Sequence, residues 1–366
     1  MHDRIETQWR QGFRARLLLY CVTVIGLWLP FVLRAQSTED GRFSEQSLYG
    51  APHCPAAEFV CRDPSVAVDP FGHLYFATSS CVFRDEGFGR YKALAVLPPA
   101  GVTSGAVGLA ADGAGNVFIA DYDLGQIRKV AADGTIKVIA GGTNRDAADG
   151  RGQTANVPLS RPQGLAVDSE GDLYIAETGK GRIRKLLRDG TLTTVVNNSR
   201  GGALAVDSHG NLYIADRSRV YKWTPGGQLT AIAGKAGIIR YSGENGPASG
   251  ATFDAWSLVA DLEGALYIAD HTNARILKIT GDGKISSIAG QHSRGFSRDG
   301  GPATDAELGQ PTSVAVDANG NVYFADFWDV NPSTNGFSCD SLVIRKISAQ
   351  DGKITTLVGG PGTRLR

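Results

Sequence analysis

From Pro64 to Gly360 the apolar residues fall in short runs broken by polar, Gly-containing turns, and the same order of runs recurs six times. Each copy has a run of small apolar residues closing in Asp, a turn, an apolar strand, a basic strand and a closing strand. The clearest copy, from Gly164 to Val196, reads GLAVDSEGDLYIAETGKGRIRKLLRDGTLTTVV. Strands of about five residues separated by Gly turns, four to a period of about 40, predict an all-β fold, a six-bladed β-propeller.

Aligned on the Asp that ends the first strand, the copies start from Asp69, Asp112, Asp168, Asp207, Asp261 and Asp317. An Asp opening a turn bonds the backbone two residues on, and Gly supplies positive φ, so these six are read as turn-formers rather than a catalytic set. Strands of one blade, named a to d from the centre outwards, are antiparallel. The a–b and c–d turns therefore emerge on one face, and the b–c loops and d–a crossovers on the other.

The a–b and c–d turns are uniformly short, so variation in length belongs to the b–c/d–a face. The aligned Asp residues are spaced 43, 56, 39, 54 and 56 apart, the long intervals coming from related crossover inserts: 152–162, 246–256 and 301–311. Leu159, Phe253 and Leu308 are read as plugs pinning these inserts to the blades. The same face receives Tyr122, Arg217 and His271 just after their second strands, and Phe327, Trp328 and Asp329 from the long b–c loop of the last repeat. Together they predict a shallow bowl of aromatic and hydrogen-bonding groups, suited to a protein, peptide or glycan.

The pattern strand–Asp–xxGN–[LV]Y[IF]AD–xxxxRI–xK–DG, over residues 64–360, resembles the NHL repeat. The resemblance implies a propeller fold with many functions: extracellular lyases, RNA-binding proteins and exported bacterial proteins share it. It also implies that the acid after the second strand pairs with the Arg opening the third, as in Glu177/Arg182, Asp216/Arg219 and Asp270/Arg275. Asp121 and Asp326 have no such Arg and are expected to be freer, as candidate central-channel carboxylates.

Composition narrows the function. The 37 basic and 37 acidic residues balance, and the basic RIRK segments lie inside strands, so no nucleic-acid partner is expected. Arg10, Arg14 and Arg16, an uncharged run over 17–33 and Arg34-Ala35-Gln36 predict an export signal cleaved after Ala35. An uncleaved membrane anchor is the alternative, and would be the chain's only membrane contact. The expected organisation is signal or anchor (1–35), Cys-containing lead-in (36–63), propeller (64–360) and tail (361–366), in a monomer that is secreted, periplasmic or anchored.

Export makes Cys54, Cys61, Cys81 and Cys339 candidates for disulfides. Cys54–Cys61 is a local pairing, and Cys81–Cys339 would lock the first repeat to the last. No nucleophile motif appears, and His271 is the one well-placed histidine. The residues therefore favour a binding propeller with no cofactor and no catalytic residue or metal site. The alternative is a lyase or hydrolase, lactonase-like or amidating-lyase-like, with Ca or Zn in the central channel.

Overall fold

The structure, a computed structural model, describes residues 48–49, 65–78, 81–87, 90–97, 108–142, 157–291, 293–297, 299–327 and 342–359. Among these there is no α-helix; six sheets account for the regular structure. Blade 1 contains β1 (Leu48–Tyr49), β2 (Ser65–Val68), β3 (Leu74–Ala77), β4 (Cys81–Asp85) and β5 (Tyr91–Val96). Blade 2 contains β6 (Leu109–Ala111), β7 (Val117–Asp121), β8 (Gln126–Val130) and β9 (Ile136–Ala140). Blade 3 contains β10 (Pro162–Val167), β11 (Leu173–Glu177), β12 (Arg182–Leu186) and β13 (Leu192–Asn197).

Blade 4 contains β14 (Ala203–Val206), β15 (Leu212–Ala215), β16 (Arg219–Trp223) and β17 (Leu229–Gly234). Blade 5 contains β18 (Ala255–Ala260), β19 (Leu266–Asp270), β20 (Arg275–Ile279) and β21 (Ile285–Ala289). Blade 6 contains β22 (Gln310–Val316), β23 (Val322–Phe327), β24 (Leu342–Ile347) and β25 (Ile354–Gly359). The inner strands β2, β6, β10, β14, β18 and β22 neighbour one another in sequence order, and β22 returns to β2. The molecule is a six-bladed β-propeller.

Among the described residues each blade takes its four antiparallel strands from one repeat, and no blade combines strands from the first and last repeats. Closure is by packing: Val66, Phe76, Phe83 and Tyr91 of blade 1 share a buried cluster with Ala315, Tyr323, Ile344 and Val358 of blade 6. Across the seam Ser313 Oγ accepts the Val66 N–H at 3.0 Å, and Tyr91 OH donates to the Leu357 carbonyl at 2.8 Å. The irregular first repeat uses CVFRD as strand c and YKALAV as strand d. Its lead-in adds β1 in parallel to β5, an edge strand the sequence did not place there. Cys81 is the one cysteine among the described residues and is disulfide-bonded; Cys54, Cys61 and Cys339 lie outside them.

The aligned Asp residues do form turns. Asp317 Oδ1 accepts the N–H groups of Asn319 and Asn321, and Oδ2 accepts the Asn321 amide and the Tyr323 hydroxyl. Asp207 repeats the arrangement with Asn211 and Tyr213. In five blades the Lys of strand c lies over the aromatic of strand b: Lys129 on Phe118, Lys185 on Tyr174, Lys222 on Tyr213, Lys278 on Tyr267 and Lys346 on Tyr323, at 5.0–5.6 Å. These basic residues brace blades through cation–π contacts.

The crossover inserts hold blades together. Phe253 is fully buried against Val220 and Ala233 of blade 4 and Leu258 of blade 5. Leu308 packs similarly with Ala274, Ile276 and Ala289 of blade 5, and Leu159 with Ile127 and Ala140 of blade 2. The incoming segments also run along the outer edges of their own blades. Pro247 bridges Lys284, and Pro302 bridges Lys353, which shields strand edges that would otherwise offer unpaired backbone groups. At Gly234, φ is 86°, and a Cβ would lie 2.1 Å from the Ser218 carbonyl oxygen, so only glycine fits where β17 meets the crossover.

If Phe253 is the wedge between blades 4 and 5, Phe253→Ala costs about 3–5 kcal/mol of stability, as buried Phe deletions do. Leu262→Ser, on an exposed turn, changes stability by about 0.5 kcal/mol or less. Urea unfolding of the two variants beside the parent checks both.

Candidate functional site

The acid that follows strand b has one role in three blades. Glu177 Oε1 accepts the Ser160 N–H at 2.8 Å, Asp270 Oδ1 accepts the Asp254 N–H at 2.7 Å, and both Asp326 oxygens accept the Gly309 N–H at 3.0 Å. Ser160, Asp254 and Gly309 each follow the plug residue of a crossover insert. The carboxylate therefore fastens the insert that has just entered its blade. Blades 2 and 4 lack the insert, and there the acid turns to its own b–c loop: Asp121 accepts the Leu124 N–H and Asp216 the Arg219 N–H.

This overturns the reading of Asp121 and Asp326 as free channel carboxylates. Neither lines the channel, and both are buried. The missing Arg is supplied two residues further along strand c: Arg128 lies 3.2 Å from Asp121. Asp121 pairs in register with Gln126, which makes Arg128 its diagonal neighbour on the same face. Arg345 occupies the equivalent place beside Asp326 and acts on its charge. Glu177/Arg182 and Asp216/Arg219 are ion pairs as expected, at 2.6 and 3.6 Å. Asp270/Arg275 is not: Arg275 reaches Glu244 at 3.5 Å and Ser287 at 2.6 Å.

Where the Asp254 insert lands, the structure assembles a cluster on the b–c/d–a face. Arg217, in a left-handed backbone conformation (φ 73°), makes a two-pronged contact with the fully buried Asp254 at 2.7 and 2.8 Å. Its guanidinium also lies 5.6 Å from the Trp256 ring. Trp256 stacks on His271 with centroids 3.8 Å apart and planes 17° apart. The His271 Nδ1 faces the Pro311 carbonyl at 3.2 Å, an arrangement that puts the proton on Nδ1. Burial holds the His271 pKa below its usual value despite Pro311 and Asp254, so a neutral imidazole lies under the indole.

Trp256 begins strand a of blade 5 and lines the central channel, a cavity of about 1120 Å³. Gln163, Ser257, Thr312 and Ser313 line it with Trp256. The Trp256 Nε1 is buried and makes no hydrogen bond among the described residues. Sequence reasoning missed Trp256 and Asp254, because in the sequence they read as part of a plug segment. The signal was there: DAW has polar and aromatic residues where the other inserts have SRP and GQP.

The predicted bowl is only partly assembled. Arg217 and His271 meet through Trp256, whereas Tyr122 belongs to a separate pair with Arg161, 5.8 Å over its ring. Phe327 is buried at the end of β23 instead of forming open aromatic surface. Strand b runs one residue longer in blade 6, and Phe327 is paired with both Gln310 and Leu342. Trp328 and Asp329 lie outside the described residues. One carboxylate group with metal-like spacing, Asp168, Glu170 and Asp172, occurs among the described residues. It is on the opposite, a–b face, where Lys185 sits 3.0 Å from both Asp168 and Asp172.

Burial raises the Asp270 pKa to about 7, with Asp254 adding to the rise and the Asp254 N–H, Asn273 and Arg275 opposing it. Burial likewise raises Asp326 to about 7 against the Gly309 N–H and Arg345. A folded-state pKa above the unfolded one favours the folded state at low pH, and that contribution is lost as pH rises through about 7. Urea unfolding is therefore expected to show lower stability at pH 8 than at pH 6. Asp270→Asn, which keeps an acceptor for the Asp254 N–H, should flatten this dependence; a parent equally stable at both pH values would contradict it.

Comparisons with known proteins agree with the architecture. A family model described as the teneurin NHL domain matches residues 200–365, and one for the NHL repeat matches residues 159–186. Teneurin-4 of Mus musculus is 25% identical over 272 residues, covering 59% of this chain and 10% of its own length. The chain thus spans about a tenth of that relative. Among solved structures, a nidogen/laminin complex contains a chain that is 18% identical, with 80% of this chain and 95% of that one covered at a TM-score of 0.55. An auxiliary nutrient binding protein from Bacteroides ovatus is 15% identical, with 80% and 68% covered at a TM-score of 0.57. These likenesses establish the fold. With six matching blades, their repeat signature and both family models in agreement, the chain is an NHL-repeat β-propeller.

Proposed function

We propose that this chain is an exported recognition module that binds a protein, peptide or glycan through its b–c/d–a face. The observation that carries the proposal is the Arg217–Trp256–His271 stack, locked by Asp254 beside the channel. A guanidinium, indole and imidazole fixed in one orientation before a ligand arrives lower the ordering cost of binding. Arg and Trp are also the side chains that most often dominate interfaces. The nidogen/laminin likeness supports protein recognition as a use of the fold. Export rests on the N-terminal pattern of residues 10–36, and a Cys81–Cys339 bond would suit the oxidising compartment.

Two experiments test the proposal. Expressed with its own N-terminus, the chain should leave the cytoplasm, and N-terminal sequencing of the mature form should begin at Gln36; a cytoplasmic chain starting at Met1 would contradict export. For recognition, the purified chain bearing a photo-crosslinker is exposed to extracellular material. Capture of a defined partner should fall at least tenfold in Trp256→Ala and Arg217→Ala and persist in Phe71→Ser on the opposite face. Capture that is lost only in Phe71→Ser would place recognition on the a–b face and overturn the proposal.

A further inference from the structure

The charge of this neutral chain is unevenly distributed. Between Ser199 and Tyr241 lie the cations Arg200, Arg217, Arg219, Lys222, Lys235 and Arg240, against two acids, Asp207 and Asp216. Three of the cations are committed: Arg217 to Asp254, Arg219 to Asp216 and the Tyr221 ring, and Lys222 to Tyr213. Arg200, Lys235 and Arg240 are exposed and make no ion pair among the described residues. All three lie in d–a segments, on the same face as Arg217. Arg200 is near enough to Tyr221 for its charge to act on that hydroxyl.

Between Lys235 and Arg240 the chain exposes two aliphatic residues, Ile238 (49%) and Ile239 (37%). Their display is held from both sides. Ser218 Oγ, next to Arg217, accepts the Gly237 N–H at 3.1 Å. On the blade 5 side, Asn273 donates to the Ile239 carbonyl at 2.7 Å and accepts the Tyr241 N–H at 3.0 Å. Asn273 also donates to Asp270 at 2.6 Å. The loop is thereby tied to the acid that anchors the Asp254 insert. Exposed isoleucines stapled in place and flanked by unpaired cations have the make-up of an interface: an apolar centre within a charged rim.

We infer that the 235–241 loop, with Arg200 and Arg219, is a docking surface for an acidic protein segment carrying aliphatic side chains. Charge complementarity selects the occupant: the patch is cationic on a chain with no net charge, and Ile238 and Ile239 require an apolar contact that a phosphate backbone does not provide. The inference rests on the proposed recognition face and names its partner class. The acidic residues would pair with Arg200, Lys235 and Arg240, and the aliphatic ones would cover Ile238 and Ile239. Electrostatic attraction to the three cations speeds encounter, and the apolar contact prolongs the complex.

The test uses the full chain and three fluorescent probes read by anisotropy: an alternating Glu/Leu heptapeptide, its Lys/Leu counterpart, and a single-stranded RNA of matched negative charge. The Glu/Leu peptide should bind at least tenfold more tightly than the Lys/Leu peptide and lose at least tenfold in affinity between 50 and 300 mM salt. Arg200→Gln/Lys235→Gln/Arg240→Gln should weaken it at least tenfold with the thermal midpoint unchanged. Ile238→Ser/Ile239→Ser should weaken it while leaving the salt dependence. No discrimination between peptides, insensitivity to both variants, or preference for the RNA would overturn the inference. If the peptide fails while partner capture still requires Trp256, this inference falls alone; if capture ignores Trp256 and Arg217, the underlying reading falls as well.

Discussion

A hydrogen bond from the backbone of each crossover insert to the acid ending the neighbouring second strand organises the loop face. It appears as Ser160 to Glu177, Asp254 to Asp270 and Gly309 to Asp326. Each donor follows a buried plug, so one acid fixes both where the plug enters and where the next inner strand begins. A charged acceptor strengthens such a bond, and its burial makes the bond costly to lose. Arg217, Trp256 and His271 owe their alignment to it, because Asp254 is held by Asp270 on one side and holds Arg217 on the other.

The same constraint explains why the buried Glu177, Asp270 and Asp326 sit at blade junctions; the carboxylates along the channel are turn-forming Asp residues such as Asp69, Asp207 and Asp317. An acid used to hold a backbone N–H in a dry place resists ionisation, and a nearby cation offsets only part of that cost. Glu177 has Arg182 at 2.6 Å and Arg184 at 3.7 Å. Asp270 faces Leu277 at the diagonal position that Arg128, Arg184 and Arg345 occupy elsewhere, and its Oδ2 is left without a hydrogen bond. Burial raises its pKa to about 7, as it does that of Asp326. The loop face thus contains Asp270, one of two acids raised to about 7, beside the Trp256–His271 stack.

The fold was legible because each repeat writes its own turn chemistry. Asp207 and Asp317 announce their turns through the Gly and Asn that follow, and the plugs stand out as large apolar residues at one place in three related inserts. The first repeat was legible only in outline, since CVFRD and YKALAV both suit a strand and only packing against Phe76 and Tyr323 assigns them. The site was harder. A rule pairing each acid with the Arg opening the third strand cannot see diagonal partners such as Arg128, nor a backbone N–H arriving from 17 residues away at Gly309. Nor does linear order reveal that Arg217 meets Trp256 and His271 from a neighbouring blade.

Hydrogen exchange on the full chain, with and without its captured partner, tests the central claim most directly, because it reads the backbone of every loop at once. If the loop face is the recognition surface, protection on binding is confined to segments 217–219, 235–241, 254–256 and 271–273. Protection gathered instead at the a–b turns around Phe71, Ala114, Glu170 and Leu262 would contradict the account.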